Sequence, residues 1–162
     1  MKIYELFLTC PKGLEKVSKS ELKLNGIENI TIKPGGNYFK GTLEDIYRIN
    51  LISRVGMNLL IKLHSFEFKN ITEYYKSIYA YNWSYLIDPN MTIAVDSKID
   101  GQTDVFNNSQ FVNLKAKDAI VDKIRTLRKK RPSVSRENPD IELKIFIKGD
   151  NCDIYLNSSG DS

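Results

Sequence analysis

The amino-acid sequence predicts an α+β fold whose first half follows the order β-α-β-β-α-β. An apolar strand at 3–9 precedes a segment of helical spacing at 14–24. Two strand-like segments then flank the turn Pro34-Gly35-Gly36-Asn37, and a second helical segment at 43–51 leads into an apolar strand at 55–68. This order is the split β-α-β unit of ferredoxin-like folds.

Local signals support each element of the first half. Pro11 follows the first strand and can open a helix, because its missing N–H is not needed there. Asn25-Gly26 is a typical helix stop. The segments 27–33 and 38–42 are predicted to pair as a hairpin. Glu44 and Asp45 lie in the first turn of the second helix, where acidic residues are favoured.

The second half is predicted to contain two helices and three strands. The first of these helices is expected at Ile71–Tyr81 and runs into Trp83. The other is expected to begin at Ser109 as its capping residue and to be stopped by Pro132. The strands are expected at 91–96, 140–148 and 151–157, the last two joined by a hairpin turn at Gly149-Asp150. Residues 100–108 are expected to form a loop. The helix that begins at Ser109 is predicted to carry Ala116, Ile120, Ile124 and Leu127 on its core face.

Length and composition exclude several classes of protein. With 162 residues and 41% apolar content, the chain can build one or two small cores. It has no apolar run near the ~20 residues that span a bilayer, and its first residues do not resemble a signal peptide, which predicts a cytoplasmic location. Cys10, Cys152 and the single His64 cannot supply a structural zinc site, so no metal is expected.

Positive charge is concentrated in one segment. Residues 115–131 contain eight lysines and arginines against Asp118 and Asp122, a net charge of +6. The whole chain carries only +4, so the remainder is slightly acidic. Such a concentration favours binding of a polyanion, because neutralising phosphates releases their condensed counterions. A solvated helix end that complements the helix dipole is the alternative interpretation.

The candidate RNA-binding residues come from this helix and the loop that follows it. Arg can hold a phosphate through two hydrogen bonds, Lys acts as a point charge, and hydroxyl groups add directed hydrogen bonds. The candidates are Lys115, Lys117, Arg125, Arg128, Lys129, Lys130, Arg131, Ser133 and Arg136. The aromatic residues at 74–83 could stack on unpaired bases, but their helical spacing is more typical of a core. The segment 100–108 is a second candidate for the first contact with RNA.

No catalytic constellation is visible. The chain has no glycine-rich phosphate loop, and His64 lies in an apolar strand where a structural role is expected. Asp118 and Asp122 are four residues apart and are expected to form ion pairs along a helix. Cys10 is expected to be a packed thiol. This polypeptide alone is therefore not expected to catalyse a reaction.

Several motifs resemble a known family. They are Cys10-Pro11-Lys12-Gly13-Leu14-Glu15, Gly35-Gly36-Asn37-Tyr38-Phe39-Lys40-Gly41, Asp45-Ile46-Tyr47-Arg48-Ile49-Asn50-Leu51, Tyr81-Asn82-Trp83, the 108–122 segment that contains Lys117-Asp118-Ala119-Ile120-Val121-Asp122, Arg131-Pro132-Ser133-Val134 and Asn138-Pro139-Asp140-Ile141-Glu142-Leu143. In order and spacing they resemble the ferredoxin-like and THUMP region of bacterial guanine-N2 RNA methyltransferases.

The resemblance implies a ferredoxin-like domain at 1–67 and a THUMP RNA-binding domain at 68–162. It further implies a role as the RNA-recognition part of a class I, S-adenosylmethionine-dependent methyltransferase that modifies a guanine of 23S rRNA at N2. The catalytic domain and the S-adenosylmethionine site would follow residue 162, so the chain itself is expected to hold no cofactor. The expected partners are RNA, with rRNA favoured over tRNA, and that catalytic domain, without membrane or metal.

Two other functions remain open from the sequence. The chain could be a protein-interaction or scaffold module whose basic helix meets an acidic surface or the catalytic domain. It could also be a THUMP module that acts on tRNA.

Overall fold

The computed structural model of the chain describes residues 1–52, 57–101, 105–106, 108–129, 132–134 and 137–159. These residues fall into two compact units. The first unit is Met1–Lys62 together with the segment that begins at Asn157, and the second is Leu63–Leu156. The domain boundaries given above, 1–67 and 68–162, stay a prediction.

The first unit has the element order that the sequence predicts. Its elements are β1 (Tyr4–Thr9), α1 (Glu15–Leu24), β2 (Thr31–Lys33), β3 (Gly36–Gly41), α2 (Leu43–Ile52) and the start of β4 (Leu59–Glu67). The strands lie in the order β2-β3-β1-β4, and β1 is antiparallel to both of its neighbours. Leu6, Leu8 and Phe39 form the core with apolar residues of the two helices, so both helices cover the same face of the sheet.

Three strands of the first unit differ by more than one residue from their predicted bounds. The strand expected at 55–68 is limited to Leu59–Glu67. The strand expected at 27–33 is limited to Thr31–Lys33, because Asn29 adopts a left-handed backbone with φ of 57°. Ile27 and Ile30 are nevertheless buried in the core as loop residues. β3 begins at Gly36 instead of Tyr38, because Gly36 pairs with both Thr9 and Lys33.

Hydrogen bonds tie the segment after Asn157 to the rest of the first unit. The Ser158 hydroxyl donates to the carbonyl of Leu59 at 2.7 Å, and the Leu59 amide donates to the hydroxyl of Ser159 at 2.9 Å. The Ser159 hydroxyl also donates to the side-chain oxygen of Asn50 at 2.8 Å. Asn50 of α2 therefore helps to hold this segment beside the start of β4.

The second unit combines a mixed sheet with two helices. After β4 come α3 (Ile71–Ala80), a 3₁₀ turn (Trp83–Tyr85), β5 (Thr92–Asp100), α4 (Ser109–Arg128), β6 (Ser133–Val134), β7 (Ile141–Lys148) and β8 (Asn151–Asn157). The strands lie in the order β4-β8-β7-β5-β6. β5 is parallel to both β6 and β7, and β7 pairs with β8 as the antiparallel hairpin expected at Gly149-Asp150.

Aromatic residues fill much of the core of the second unit. Tyr74, Phe68 and Phe106 are buried and pack edge-on or tilted against one another, with ring centroids 4.7 to 5.7 Å apart. Trp83 is fully buried and donates its indole N–H to the carbonyl of Ile78 at 2.7 Å. The core role suggested by helical spacing is thus confirmed for Tyr74 and Trp83.

The bounds of α4 differ from the prediction at both ends. Asn108, not Ser109, is the capping residue, and its side-chain oxygen accepts the amide of Phe111 at 2.9 Å. The helix ends at Arg128, before Pro132, because Lys129 adopts a left-handed backbone with φ of 58°. Leu127, predicted in the core, lies in the final turn and is 53% exposed. Within the described residues, no helix is long and apolar enough to cross a membrane.

Candidate nucleic-acid interface

Three tyrosines of α3 fix the position of α4. The hydroxyl of Tyr74 donates to the carbonyl of Val112 at 3.1 Å, that of Tyr75 to the carboxylate of Asp122 at 2.5 Å, and that of Tyr79 to the hydroxyl of Thr126 at 3.3 Å. These hydroxyls contact α4 at three levels along its length. Tyr74 has no exposed ring face for a base, and Tyr75 and Tyr79 are half-buried beside the helix.

The two lysines in the body of α4 do not share a face. Lys115 and Lys117 are two residues apart, so their side chains leave the helix about 200° apart. Lys115 has its ammonium group 5.7 Å from the ring centroid of Phe111 and lies on the side of Asp118 and Asp122. Lys117 lies instead on the same helix face as Arg128, which is about three turns closer to the C-terminus. One row that contains all the predicted cations is therefore not formed.

The C-terminal end of α4 presents three exposed cations. Arg125 lies 3.3 Å from the carboxylate of Asp122, yet its side chain remains 55% exposed. Arg128 and Lys129 are exposed, and no carboxylate of a described residue lies within ion-pair distance of either. The Lys129 amide donates to the carbonyl of Arg125 at 2.7 Å and closes the helix. This end can attract an anion, and the same charges complement the helix dipole.

Of the remaining candidate RNA-binding residues, only Ser133 is among the described residues. Lys130, Arg131 and Arg136 lie outside the described residues. Ser133 lies in β6, where its backbone pairs with Thr92 at the edge of the sheet. The assignment of these residues to RNA binding stays a prediction.

The other groups considered from the sequence have structural surroundings. The Nε2 atom of His64 is 3.0 Å from the carbonyl oxygen of Ser77, and its ring packs on Phe66 and Tyr81. Burial raises the pKa of Cys10 and that of Cys152, so both are packed thiols that disfavour the reactive thiolate. Among the described residues, no cluster of His, Cys, Asp or Glu is arranged to hold a metal ion.

One group of residues was missed from the sequence. Phe7 of β1 and Tyr38 of β3 are direct cross-strand neighbours on the sheet face that faces away from α1 and α2. Their proximity depends on the register of β1 against β3, which no local pattern reveals. The outward positions of both strands could have been found from the alternation of Leu6, Phe7 and Leu8.

Comparisons with known proteins define the family. Residues 5–57 match the model of the RlmL ferredoxin-like domain, and residues 68–157 match the model of the THUMP domain. The chain belongs to the THUMP domain family. The THUMP match covers the second unit from residue 68 onward, including α4 and its basic end.

Curated relatives place this pair of domains within longer proteins. The chain is 36% identical over 160 residues to the ribosomal RNA large subunit methyltransferase K/L of Pseudomonas aeruginosa. That match covers 99% of this THUMP chain but 22% of the relative, so the chain spans about a fifth of the length of this relative.

Solved structures share the fold. A Listeria monocytogenes protein described as a predicted N6-adenine-specific DNA methylase aligns over 97% of the chain and 40% of its own length, with a TM-score of 0.79 and 21% identity. A putative methyltransferase complexed with SAH, SMU.472, aligns over 97% and 42%, with a TM-score of 0.75 and 21% identity. At this level of identity the likeness establishes the fold of the chain.

Proposed function

We propose that the chain is the RNA-recognition region of an S-adenosylmethionine-dependent methyltransferase, which acts in the cytoplasm on large-subunit rRNA and modifies N2 of a guanine. The observation that carries the proposal is the set of exposed cations Arg125, Arg128 and Lys129 at the end of α4, in a chain that matches the THUMP model. Arg128 and Lys129 have no carboxylate partner among the described residues, and such exposed side chains can neutralise phosphates, while Arg125 also contacts Asp122. The 36% identity to an rRNA methyltransferase favours rRNA over tRNA as the substrate.

The methyl donor is assigned to a part of the parent protein outside this chain. Nucleotide-like cofactors bind where several glycines let the backbone approach the ligand between a strand and a helix. In the described part of the chain, the β1–α1 loop holds only Gly13, and the β5–α4 loop holds only Gly101. These loops do not fit such a cofactor.

Charge reversal at the end of α4 tests the proposal. A variant with Arg128, Lys129, Lys130 and Arg131 changed to Glu should lose gel-shift binding to a structured fragment of 23S rRNA. The matched control changes four other exposed lysines of the second unit, Lys69, Lys76, Lys98 and Lys148, to Glu. Both variants have the same net charge, so only the position of the charges differs. Equal affinity of the two variants would contradict the assignment of the basic end.

The substrate is tested with the longer parent protein. Labelled S-adenosylmethionine and transcripts of 23S rRNA or tRNA should give incorporation in the rRNA, with the label recovered as N2-methylguanine. Recovery in tRNA instead would identify the second function considered from the sequence, that of a tRNA-directed THUMP module.

An interaction module remains the second candidate, favoured by an exposed apolar row on α2. Leu43, Tyr47 and Leu51 are spaced four residues apart on one helix face and are 50%, 64% and 86% exposed. Such a row is typical of a surface that contacts protein. If this is the main function, a Tyr47→Glu variant should lose binding to a separately expressed methyltransferase domain and retain any RNA binding.

A further inference from the structure

The first unit carries two aromatic side chains next to each other on one face of its sheet. Phe7 of β1 and Tyr38 of β3 are direct partners in the antiparallel register. Their neighbours Leu6, Leu8 and Phe39 point into the core, and strand alternation therefore places Phe7 and Tyr38 on the opposite face. Both rings are half-buried, so part of each remains accessible.

The ring of Phe7 lies low over the strand beside it. A Cβ atom at Gly36 would be 2.7 Å from two ring carbons of Phe7 and 2.4 Å from the carbonyl oxygen of Leu8. The absence of a side chain at Gly36 therefore leaves room for the ring on the surface of the sheet. The result is an aromatic surface formed by β1 and β3.

Lysines surround Tyr38. The ammonium groups of Lys33 and Lys62 lie 5.2 and 5.6 Å from its ring centroid, and its hydroxyl donates a hydrogen bond to the carboxylate of Glu5. Lys40 is exposed two residues after Tyr38 and so on the same face. These three cations lie near Tyr38 against the carboxylates of Glu5 and, in an adjoining pocket, Glu28, so the surroundings of the tyrosine keep a net positive charge.

The edge of β3 next to Tyr38 is open. β2 pairs only with residues 36–38 of β3, so the remaining residues of β3 have no strand on that side in the described part of the first unit. A surface pocket of about 460 Å³ lies at this edge. It is lined by Gly26, Glu28, Asn29, Tyr38, Phe39 and Lys40. Tyr38 and Lys40 of this face therefore also line the pocket.

We propose that this face of the first unit binds a single-stranded stretch of RNA, whose bases stack on Phe7 and Tyr38 while Lys33, Lys40 and Lys62 contact its phosphates. Stacking of bases on aromatic residues of β1 and β3, in a four-stranded sheet with helices on its other face, is an established way to bind unpaired RNA. Residues 1–62 carry ten basic and six acidic residues, which complements a polyanion. The inference rests on RNA being the ligand of the chain, as proposed above.

Fluorescence polarisation of the 162-residue chain tests the surface. The probes are a labelled mixed-sequence heptanucleotide RNA and a strand of seven abasic ribose phosphates, which has the same charge but no bases. Stacking predicts that the RNA binds about 5- to 100-fold more tightly than the abasic strand. Equal affinity for the two probes overturns the inference without any variant.

Substitutions of Phe7 and Tyr38 test whether the bases stack on these two side chains. A double variant with Phe7→Leu and Tyr38→Leu should bind the heptanucleotide about 5- to 100-fold more weakly than the wild-type chain. The single variant Tyr38→Phe keeps both aromatic rings and should keep most of the wild-type affinity. Tyr47→Leu is the matched control, because Tyr47 is 64% exposed on α2, away from this face. A loss for Tyr47→Leu equal to that of the double variant, or no loss for the double variant, contradicts the inference.

The two proposed RNA-binding sites, at the end of α4 and on the sheet of the first unit, can be tested separately. The double variant should still bind a structured RNA through α4, and the charge-reversed α4 variant should still bind the heptanucleotide. If the wild-type chain binds neither RNA, the proposed function fails. If it binds structured RNA and the heptanucleotide is bound without dependence on Phe7, Tyr38 or the bases, only the stacking surface is wrong.

Discussion

The hydroxyl of Tyr75 donates a hydrogen bond to the carboxylate of Asp122 at 2.5 Å, and this contact joins α3 to α4. The same carboxylate lies 3.3 Å from Arg125. One acidic residue thus connects the packing of α4 to the orientation of a cation at its end. The basic end is held by the core of the second unit through this connection.

Loss of the Tyr75 hydroxyl should destabilise the chain. Tyr75→Phe removes a half-buried hydrogen bond to a carboxylate, so we expect the free energy of unfolding to fall by about 1 kcal/mol. Tyr79→Phe is the control, because its hydroxyl makes a longer, exposed bond of 3.3 Å to Thr126 and should cost less. Urea unfolding measures both. A larger loss for Tyr79→Phe would contradict this view of the α3–α4 contact.

The stability of the chain should fall at high pH. Burial, and then the hydrogen bond to Asp122, raises the pKa of Tyr75 to about 12 from its usual value near 10. The folded state therefore binds more protons than the unfolded state between pH 10 and 12, so stability is complete below pH 10 and declines across this range. Burial of Tyr74 raises its pKa as well and adds to the decline. Tyr75→Phe should make the decline less steep, and an unchanged slope would be inconsistent with the raised pKa.

The element order was predictable because each element has a strong local signal. Turn residues, a helix stop at Asn25-Gly26 and acidic first turns were enough to define β-α-β-β-α-β. The late start of β2 after the left-handed Asn29, and the end of α4 at the left-handed Lys129, were not predicted. Lys at such a position has no sequence signature, since glycine and asparagine usually occupy it.

Long-range pairing explains the other differences. β5 continues to Asp100, four residues beyond its predicted end, because it pairs in parallel with β7 as far as Lys148. The adjacency of Phe7 and Tyr38 likewise depends on the register of β1 against β3. The directions of Lys115 and Lys117, about 200° apart, are different: they follow from the geometry of the predicted helix and could have been derived from the sequence.

An alanine at Gly36 should disrupt the first unit. The added Cβ would be 2.4 Å from a backbone oxygen, which cannot move as a side chain can, so we expect a loss of about 3 kcal/mol or an unfolded first unit. Gly41→Ala is the control, since its Cβ would meet side-chain atoms at 3.0 to 3.2 Å. Thermal unfolding followed by circular dichroism compares the two. Equal melting temperatures would show that the close approach of β1 and β3 at Gly36 is wrong.

Asn50→Ala should release the segment after Asn157. The change removes the acceptor for the Ser159 hydroxyl and the amide group that lies 3.2 Å from the Ser158 hydroxyl. Hydrogen exchange of the Ser158 amide, which donates to the carbonyl of Leu59 at 2.9 Å, should become faster. Asn25→Ala, which removes an exposed bond to Glu21, should leave it unchanged. Unaltered exchange in both variants would rule out the role of Asn50.

The salt dependence of RNA binding tests the account most directly. For a structured rRNA fragment, the logarithm of the association constant should fall linearly with the logarithm of salt concentration, with a slope of about −0.9 for each phosphate neutralised. Changing Arg128 and Lys129 to Gln should weaken binding and make this slope shallower by about 2. Changing Lys69 and Lys76 to Gln should leave the slope as it is. If the wild-type chain binds without salt dependence, or if both pairs of substitutions change the slope equally, the basic end of α4 is not the RNA-binding site.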